Sequence, residues 1–359
     1  MFGLPVLFAC AMLGSSEEPV VRHRYQTILP HGLLAVGSEH DQQRVIQTAE
    51  LYGGDLWTEA ILSWTASAPA GAGLTFEVRG IYPDHTTRWY TLAYWTEDQE
   101  LGRRESRDHQ RDADGDVQTD TLILKRPGAR LQIRVTERSG PNGDWPRVGR
   151  LDLVTSTPGL PSPRPSSQTA WGSALAVPIR AQGDYEGGNV LCSPTSLSML
   201  LAYWAKQLDQ PALDHDVPEV QAGVYDREWK GTGNWAFNTA FAARQAGLRS
   251  YVTRLHDLRE LEAWIERGVP VACSVSYDLL KGKGKRGDGD GHLVVVAGFT
   301  PEGDPVFNDP GKKPIRLTYR RADFDAAWAT SDRAVYLVYP TTWAVPSDPV
   351  GAWDGAQRR

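Results

Sequence analysis

The stretch NVLCSPTSLSMLLAYW (189–204) puts Cys192 directly ahead of Ser193, Pro194 and a run that continues to Leu208. Leu197, Leu200 or Leu201, Trp204 and Leu208 recur at helical spacing. Pro194 suits the first turn of a helix, where its missing N–H would be unpaired anyway, and Ser193 suits the N-cap. On that reading Cys192 lies just outside the positive end of the helix. A free thiol titrates near ~8.5, and a helix N-terminus with a neighbouring imidazolium lowers that value by several units. The chemistry at stake is attack by a thiolate on a carbonyl carbon, which needs a base nearby. The bland alternative is a small sulfur-bearing core residue.

Three of the eight histidines, His215, His256 and His292, lie in the second half. His215 sits in the polar segment LDHDVPE and His256 opens the helix-like RLHDLRE. His292 differs, because it begins the apolar run HLVVVAGF after the glycine-rich loop DLLKGKGKRGDGDG (278–291). A His at the mouth of a strand, facing a loop, can act as a base. Alone it reads equally as a cap or a satisfied structural His. Seventeen residues on, VFNDP offers Asn308 and Asp309. A hairpin turning at TPEGD would carry them back beside His292 to orient its ring. Strand register is not readable here, so either residue can be the orienter. The loop 278–291 reads as a lid, as a cationic rim selecting acidic substrates, or as a solvated surface loop.

The stretches NVLCSPTSLSMLLAYW, GTGNWAFNTAFAARQAGL, LEAWIERGVPVACSVSY and GDGDGHLVVVAGF…FNDP resemble, in order and spacing, the papain-fold cysteine peptidases of the bacteriocin-processing (double-glycine) type and their peptidase-like relatives. The resemblance covers about residues 171 to 342. It implies that Cys192 is the nucleophile, His292 the general base and Asp309 the orienter, with Asn308 the alternative. It also implies a glutamine oxyanion donor, for which Gln182 in IRAQGDYEGGNVLC stands ten residues upstream, farther than the family spacing. No metal or cofactor is implied, and the substrate would be a peptide or protein. A cell-wall amidase or acyl transferase could use the same triad, and a catalytically silent papain-like binding protein is the third reading.

The elements that must position these residues divide the chain. PGLPSPRPSSQTA (158–170) carries four Pro and four Ser or Thr and reads as an extended linker. Before it, 21–157 alternates apolar and polar residues in LTFEVRG and LQIRVTE between turn signals such as PAGAG and GPNGD, which predicts an all-β antiparallel sandwich. DADGDVQTD (112–120) has Val117 where a calcium loop counted from Asp112 needs Gly and is followed by Ile123 where it needs Glu, so it reads as a solvated hairpin tip. Trp57, Trp64, Trp89 and Trp95 suit core packing, or a cell-wall glycan if exposed. After the linker, 171–342 places helices first and strands later, an α+β papain-like cysteine-peptidase domain. Cys273, in VPVACSVSY, reads as a buried small residue. Residues 343–359 form a C-terminal tail.

Length favours two domains. Net charge is −6, with 38 basic against 44 acidic residues, so no basic face suggests nucleic acid. No apolar run approaches the ~20 residues that cross a bilayer. The first 20 residues are leader-like but lack Lys or Arg before Arg22 and hold Pro5, so secretion to the cell surface and cytoplasmic residence both stay open.

Overall fold

The computed structural model of the protein describes residues 22–98, 104–157, 164–348 and 350–354. The leader-like segment and residues 158–163 of the expected linker lie outside them. Ten strands build the first half: β1 (His23–Ile28), β2 (Leu33–His40), β3 (Gln43–Thr48), β4 (Leu51–Ser67), β5 (Gly73–Ile81), β6 (Tyr90–Trp95), β7 (Glu105–Ser106), β8 (Gly115–Gln118), β9 (Thr121–Arg138) and β10 (Arg147–Ser156). They pair antiparallel in one continuous sheet, ordered β1-β10-β4-β9-β5-β6-β7, with β3 and β8 joining β9 and β2 joining β3. Alternation in the sequence becomes alternation in burial: Leu74, Phe76 and Val78 of β5 are fully buried, as are Leu131, Ile133 and Val135 of β9. Trp57, Trp64 and Trp95 are buried core residues and so cannot meet a sugar. Trp89 is half-buried between the guanidinium groups of Arg79 and Arg134, each 4.4 Å from its ring.

The second half holds β11 (Ser173–Ala174), α1 (Cys192–Gln207), α2 (Val217–Val224), α3 (Trp235–Ala243), β12 (Leu248–Arg254), α4 (Leu258–Glu266), β13 (Val271–Ser276), α5 (Tyr277–Leu280), β14 (Gly291–Phe299), β15 (Pro305–Asn308), β16 (Arg316–Thr318), α6 (Arg321–Ala329) and β17 (Ala334–Pro340). The strands form an antiparallel sheet, β12-β17-β13-β14-β15-β16, with β11 on β14. The helical spacing of α1 suggests one apolar stripe, but the helix is buried on every side from Ser193 to Ala205. Its three serine hydroxyls are satisfied inside the core, whereas Thr195 Oγ1 is buried with no partner among the described residues. Ser193 Oγ meets Tyr336 OH at 3.0 Å, Ser196 Oγ donates to Leu293 O at 3.0 Å, and Ser198 Oγ donates to His215 O at 2.7 Å.

Two local expectations change. The stretch from Arg164 to Trp171 is not a free tether but lies along α4. Arg164 pairs with Asp257 at 2.7 Å and Glu260 at 2.5 Å, while Ser166 Oγ and Trp171 Nε1 donate to Glu262 at 2.6 and 2.9 Å. The tip of the β8–β9 hairpin is solvated only in part: Gln118 is exposed and Thr119 half-buried. Asp120 is buried and its Oδ2 accepts the N–H of Trp235, the first residue of α3, at 2.7 Å. No helix among the described residues is long and apolar enough to cross a membrane.

Candidate active site

Cys192 is the first residue of α1, inside the helix rather than before it. Leu191 holds the N-cap position, and its carbonyl accepts the N–H of Thr195 at 3.0 Å. The sequence-based N-cap, Ser193, is instead buried and turned toward Tyr336. The thiol therefore sits among the unpaired N–H groups of the first turn. Burial alone would push it up. The hydrogen bond and charge of His292, with the N–H groups of Leu293 and Ser193, bring it below the ordinary thiol range.

His292 is the second residue of β14, buried and paired across to Val275 of β13. Its Nε2 is 2.8 Å from Asp309 Oδ1, which leaves Nδ1 for the sulfur. Burial disfavours the imidazolium, but the hydrogen bonds and charges of Asp309 and Cys192 outweigh it and raise the ring to about 9. The bond from Ser196, one turn beyond Cys192, to the carbonyl of Leu293 ties the thiol's helix to the strand that carries His292.

Asp309 is fully buried. Its Oδ1 also accepts the N–H of Gly311 at 2.9 Å, and its Oδ2 accepts the hydroxyl of Tyr319 at 2.6 Å. Burial opposes ionisation, yet His292, Tyr319 and the Gly311 N–H hold the carboxyl below its usual range. Asn308 faces elsewhere. Its Nδ2 donates to Val177 O and Pro178 O at 3.1 and 3.0 Å, and its Oδ1 accepts Arg316 Nε at 2.9 Å. Asn308 thus anchors the segment before Gln182, and Asp309 meets His292.

Gln182 lies in a short 3-10 turn (Gln182–Asp184), with its N–H bonded to Pro310 O at 2.9 Å. Its Oε1 is buried without a hydrogen-bond partner among the described residues. Together with Gly183, Gly188, Asn189 and Pro310–Lys313 it lines a cavity of about 330 Å3. Gly311 joins that cavity to the imidazole, since a Cβ built on it would lie 3.2 Å from His292 Cε1. Sequence reasoning passed over three contributors. Tyr277 lies tilted against His292 with ring centroids 4.1 Å apart, Tyr319 holds the far oxygen of Asp309, and Ser196 ties α1 to β14. The types Tyr and Ser carried no signal at those positions.

Cys273 is buried in β13 and free, as is the half-buried Cys192, so no bridge joins them. Asp290 pins the loop 278–291 by accepting the N–H groups of Gly287 at 3.1 Å and Asp278 at 3.3 Å. Among the described residues, no group of three or more His, Cys, Asp or Glu is arranged to hold a metal ion.

Residues 174–336 match the model of the Peptidase_C39 like family, and residues 51–156 match that of the Peptidase C39 N-terminal domain. The chain belongs to a C39-related family. Membership points to a peptide or protein as substrate. Among solved structures, a C39-like chain from Bacillus anthracis is 18% identical, with 46% of this chain and 97% of that chain covered and a TM-score of 0.35. The structure of infectious bursal disease virus Gt strain is 13% identical over 44% of this chain and 37% of its own, with a TM-score of 0.25. TmCBM61 in complex with β-1,4-galactotriose is 10% identical over 37% and 84%, with a TM-score of 0.16. No curated protein matches the chain.

Proposed function

We propose that the protein is a cysteine peptidase that cleaves amide bonds through Cys192, His292 and Asp309. The observation that carries the reading is the unbroken relay from Tyr319 through Asp309 and His292 to the thiol, with the thiol lowered and the imidazole raised. Opposite shifts of that kind describe a thiolate–imidazolium pair that titrates as a unit. The Sγ anion attacks the carbonyl carbon, forming a C–S bond while the carbonyl oxygen gains charge. The backbone N–H of Cys192 and the amide of Gln182 serve as oxyanion donors, and one such donor is worth about 2.7–4 kcal/mol of barrier. His292 gives its Nδ1 proton to the leaving nitrogen as the C–N bond breaks. Water, deprotonated by the now neutral ring, then attacks the thioester, and the C–S bond breaks to restore the thiolate.

This reading brings with it a papain-like α+β unit over 171–342, a β-sandwich over 21–157, 158–170 as their connection and 343–359 as tail. The same relay would serve an amidase or acyl transferase, which differ only in the substrate pocket. Replacing Cys192 with Ala is expected to abolish turnover of peptide substrates while leaving the melting temperature within a few degrees. Undiminished hydrolysis by Cys192→Ala would falsify the assignment.

A further inference from the structure

Beside the imidazole of His292 lies the cavity bounded by Gln182, Gly188, Asn189 and Pro310–Lys313. Its position relative to the reaction follows from proton traffic. His292 must reach the leaving nitrogen to protonate it, so the fragment that departs with that nitrogen runs along the imidazole. The cavity wall at Gly311 meets the imidazole at its Cε1 edge. The space therefore receives the first residues on the leaving side of the scissile bond.

Its lining fixes the chemistry. Lys312 is half-buried, its N–H is bonded to Asp309 O at 3.2 Å, and its Nζ stands 5.9 Å over the ring of Tyr277. Among the described residues Lys312 makes no ion pair, whereas Lys313, Lys281, Lys283 and Arg286 do. Lys313 binds Asp184 at 2.6 Å, Lys281 and Lys283 both bind Asp278, at 3.3 and 2.8 Å, and Arg286 binds Asp290 at 3.2 Å. A half-buried ammonium with no carboxylate partner, lining a cavity beside the reacting groups, is suited to bind an anion. The floor there is glycine and backbone, at Gly183, Gly188 and Gly311, so an incoming side chain meets little bulk.

We infer that Lys312 is a specificity-determining residue that receives a carboxylate on the leaving fragment of the substrate. This inference rests on the cysteine-peptidase reading. The carboxylate can come from an acidic side chain or from a free C-terminus one or two residues beyond the cut, and both present the same group.

The test uses the full chain and internally quenched peptides matched in pairs. One pair set carries Glu or Gln at the first and second positions after the scissile bond; the other ends there in a free acid or an amide. The wild-type protein is expected to favour the carboxylate member in kcat/KM by about tenfold, the scale of one charge-assisted contact. That preference shrinks as ionic strength rises. Lys312→Gln removes it with little change toward the neutral member, Lys312→Arg retains most of it, and Lys312→Glu inverts it. Whichever pair set shows the preference identifies the source of the carboxylate. Measurable hydrolysis without discrimination in either set overturns the inference and leaves the peptidase reading standing. No hydrolysis of any peptide, with Cys192 also unreactive toward a thiol-directed electrophile, overturns both.

Discussion

At the scale of single residues, the decisive competition is between burial and hydrogen bonding. Burial raises the thiol of Cys192 and lowers the imidazole of His292, so each alone would be neutral. Placed together, with Asp309 behind the ring, they shift the other way. The labelling rate of Cys192 by iodoacetamide should therefore rise along an acid limb centred below the ~8.5 of a free thiol. In His292→Ala only the two N–H groups still oppose burial, and the limb should move to higher pH. Turnover should fall again above about 9, where the imidazolium loses the proton it gives to the leaving nitrogen. Wild-type and His292→Ala labelling curves that superimpose would remove the ion pair from the account. Tyr319 offers a finer probe. Tyr319→Phe takes a donor from a buried carboxylate oxygen, a hydrogen bond to charge worth about 1.5 kcal/mol, so kcat/KM should drop about tenfold. A steady-state comparison with KM largely unchanged marks this as a positioning role.

At the scale of elements, a single bulge decides which side chain meets His292. Phe299 pairs with Pro305 and Gly298 with Val306, but Val296 then pairs with Phe307 and Val295 with Asn308, so Ala297 is the extra residue. Without it, counting from the turn would set Asn308 opposite Val296, on the face of β14 that carries His292. With it, one further step puts Asp309 opposite Val294 and on that face. The parity of Asn308 and Asp309 was illegible for this reason, although the strands, the hairpin and both candidates could be read from VVVAGF and VFNDP. Next to the bulge, the hairpin is crowded by a strand from outside it. Gly298 is pressed by β11, where a Cβ would lie 2.2 Å from Ser173 O and 2.5 Å from Ala174 Cα. Gly298→Ala must displace β11 or shift the register. It should cost about 1–3 kcal/mol in chemical denaturation and lower kcat disproportionately, because the Asp309–His292 bond depends on that register. Unchanged activity in a destabilised Gly298→Ala would detach the bulge from the site.

At the scale of the whole molecule, the two halves meet across contacts far apart in sequence, which is why composition and local pattern did not reveal them. Arg249 of β12 is buried and pairs with Asp152 of β10 at 2.9 Å, Trp64 of β4 meets Phe237 of α3 edge-on at 6.1 Å, and Ser106 N–H donates to Asp226 at 3.1 Å. The most telling of these contacts is Asp120. A reading of DADGDVQTD as a wet turn is reasonable for a stretch with four Asp, one Gln and one Thr among nine residues, since nothing local announces that a helix end lies over the last of them. Asp120 caps α3 from the other half, beside that helix's own cap, Asn234, whose Oδ1 accepts Phe237 N–H at 3.1 Å. Burial raises the Asp120 carboxyl to about 6, with the charge of Asp226 adding to the rise and the N–H of Trp235 only partly opposing it. A carboxyl raised on folding binds its proton more tightly in the folded chain than in the unfolded one, where it titrates near ~3.9. Its contribution to stability is thus fully present below that lower value and is lost as pH rises through about 6. Asn accepts the same bond from Trp235 but does not titrate. The stability of Asp120→Asn minus that of the wild type should therefore grow by about 2–3 kcal/mol between pH 4 and pH 7, read by urea denaturation at each pH. A difference that stays constant across that range would mean that Asp120 is solvated in solution, and that the β half does not cap the helix packed against α1.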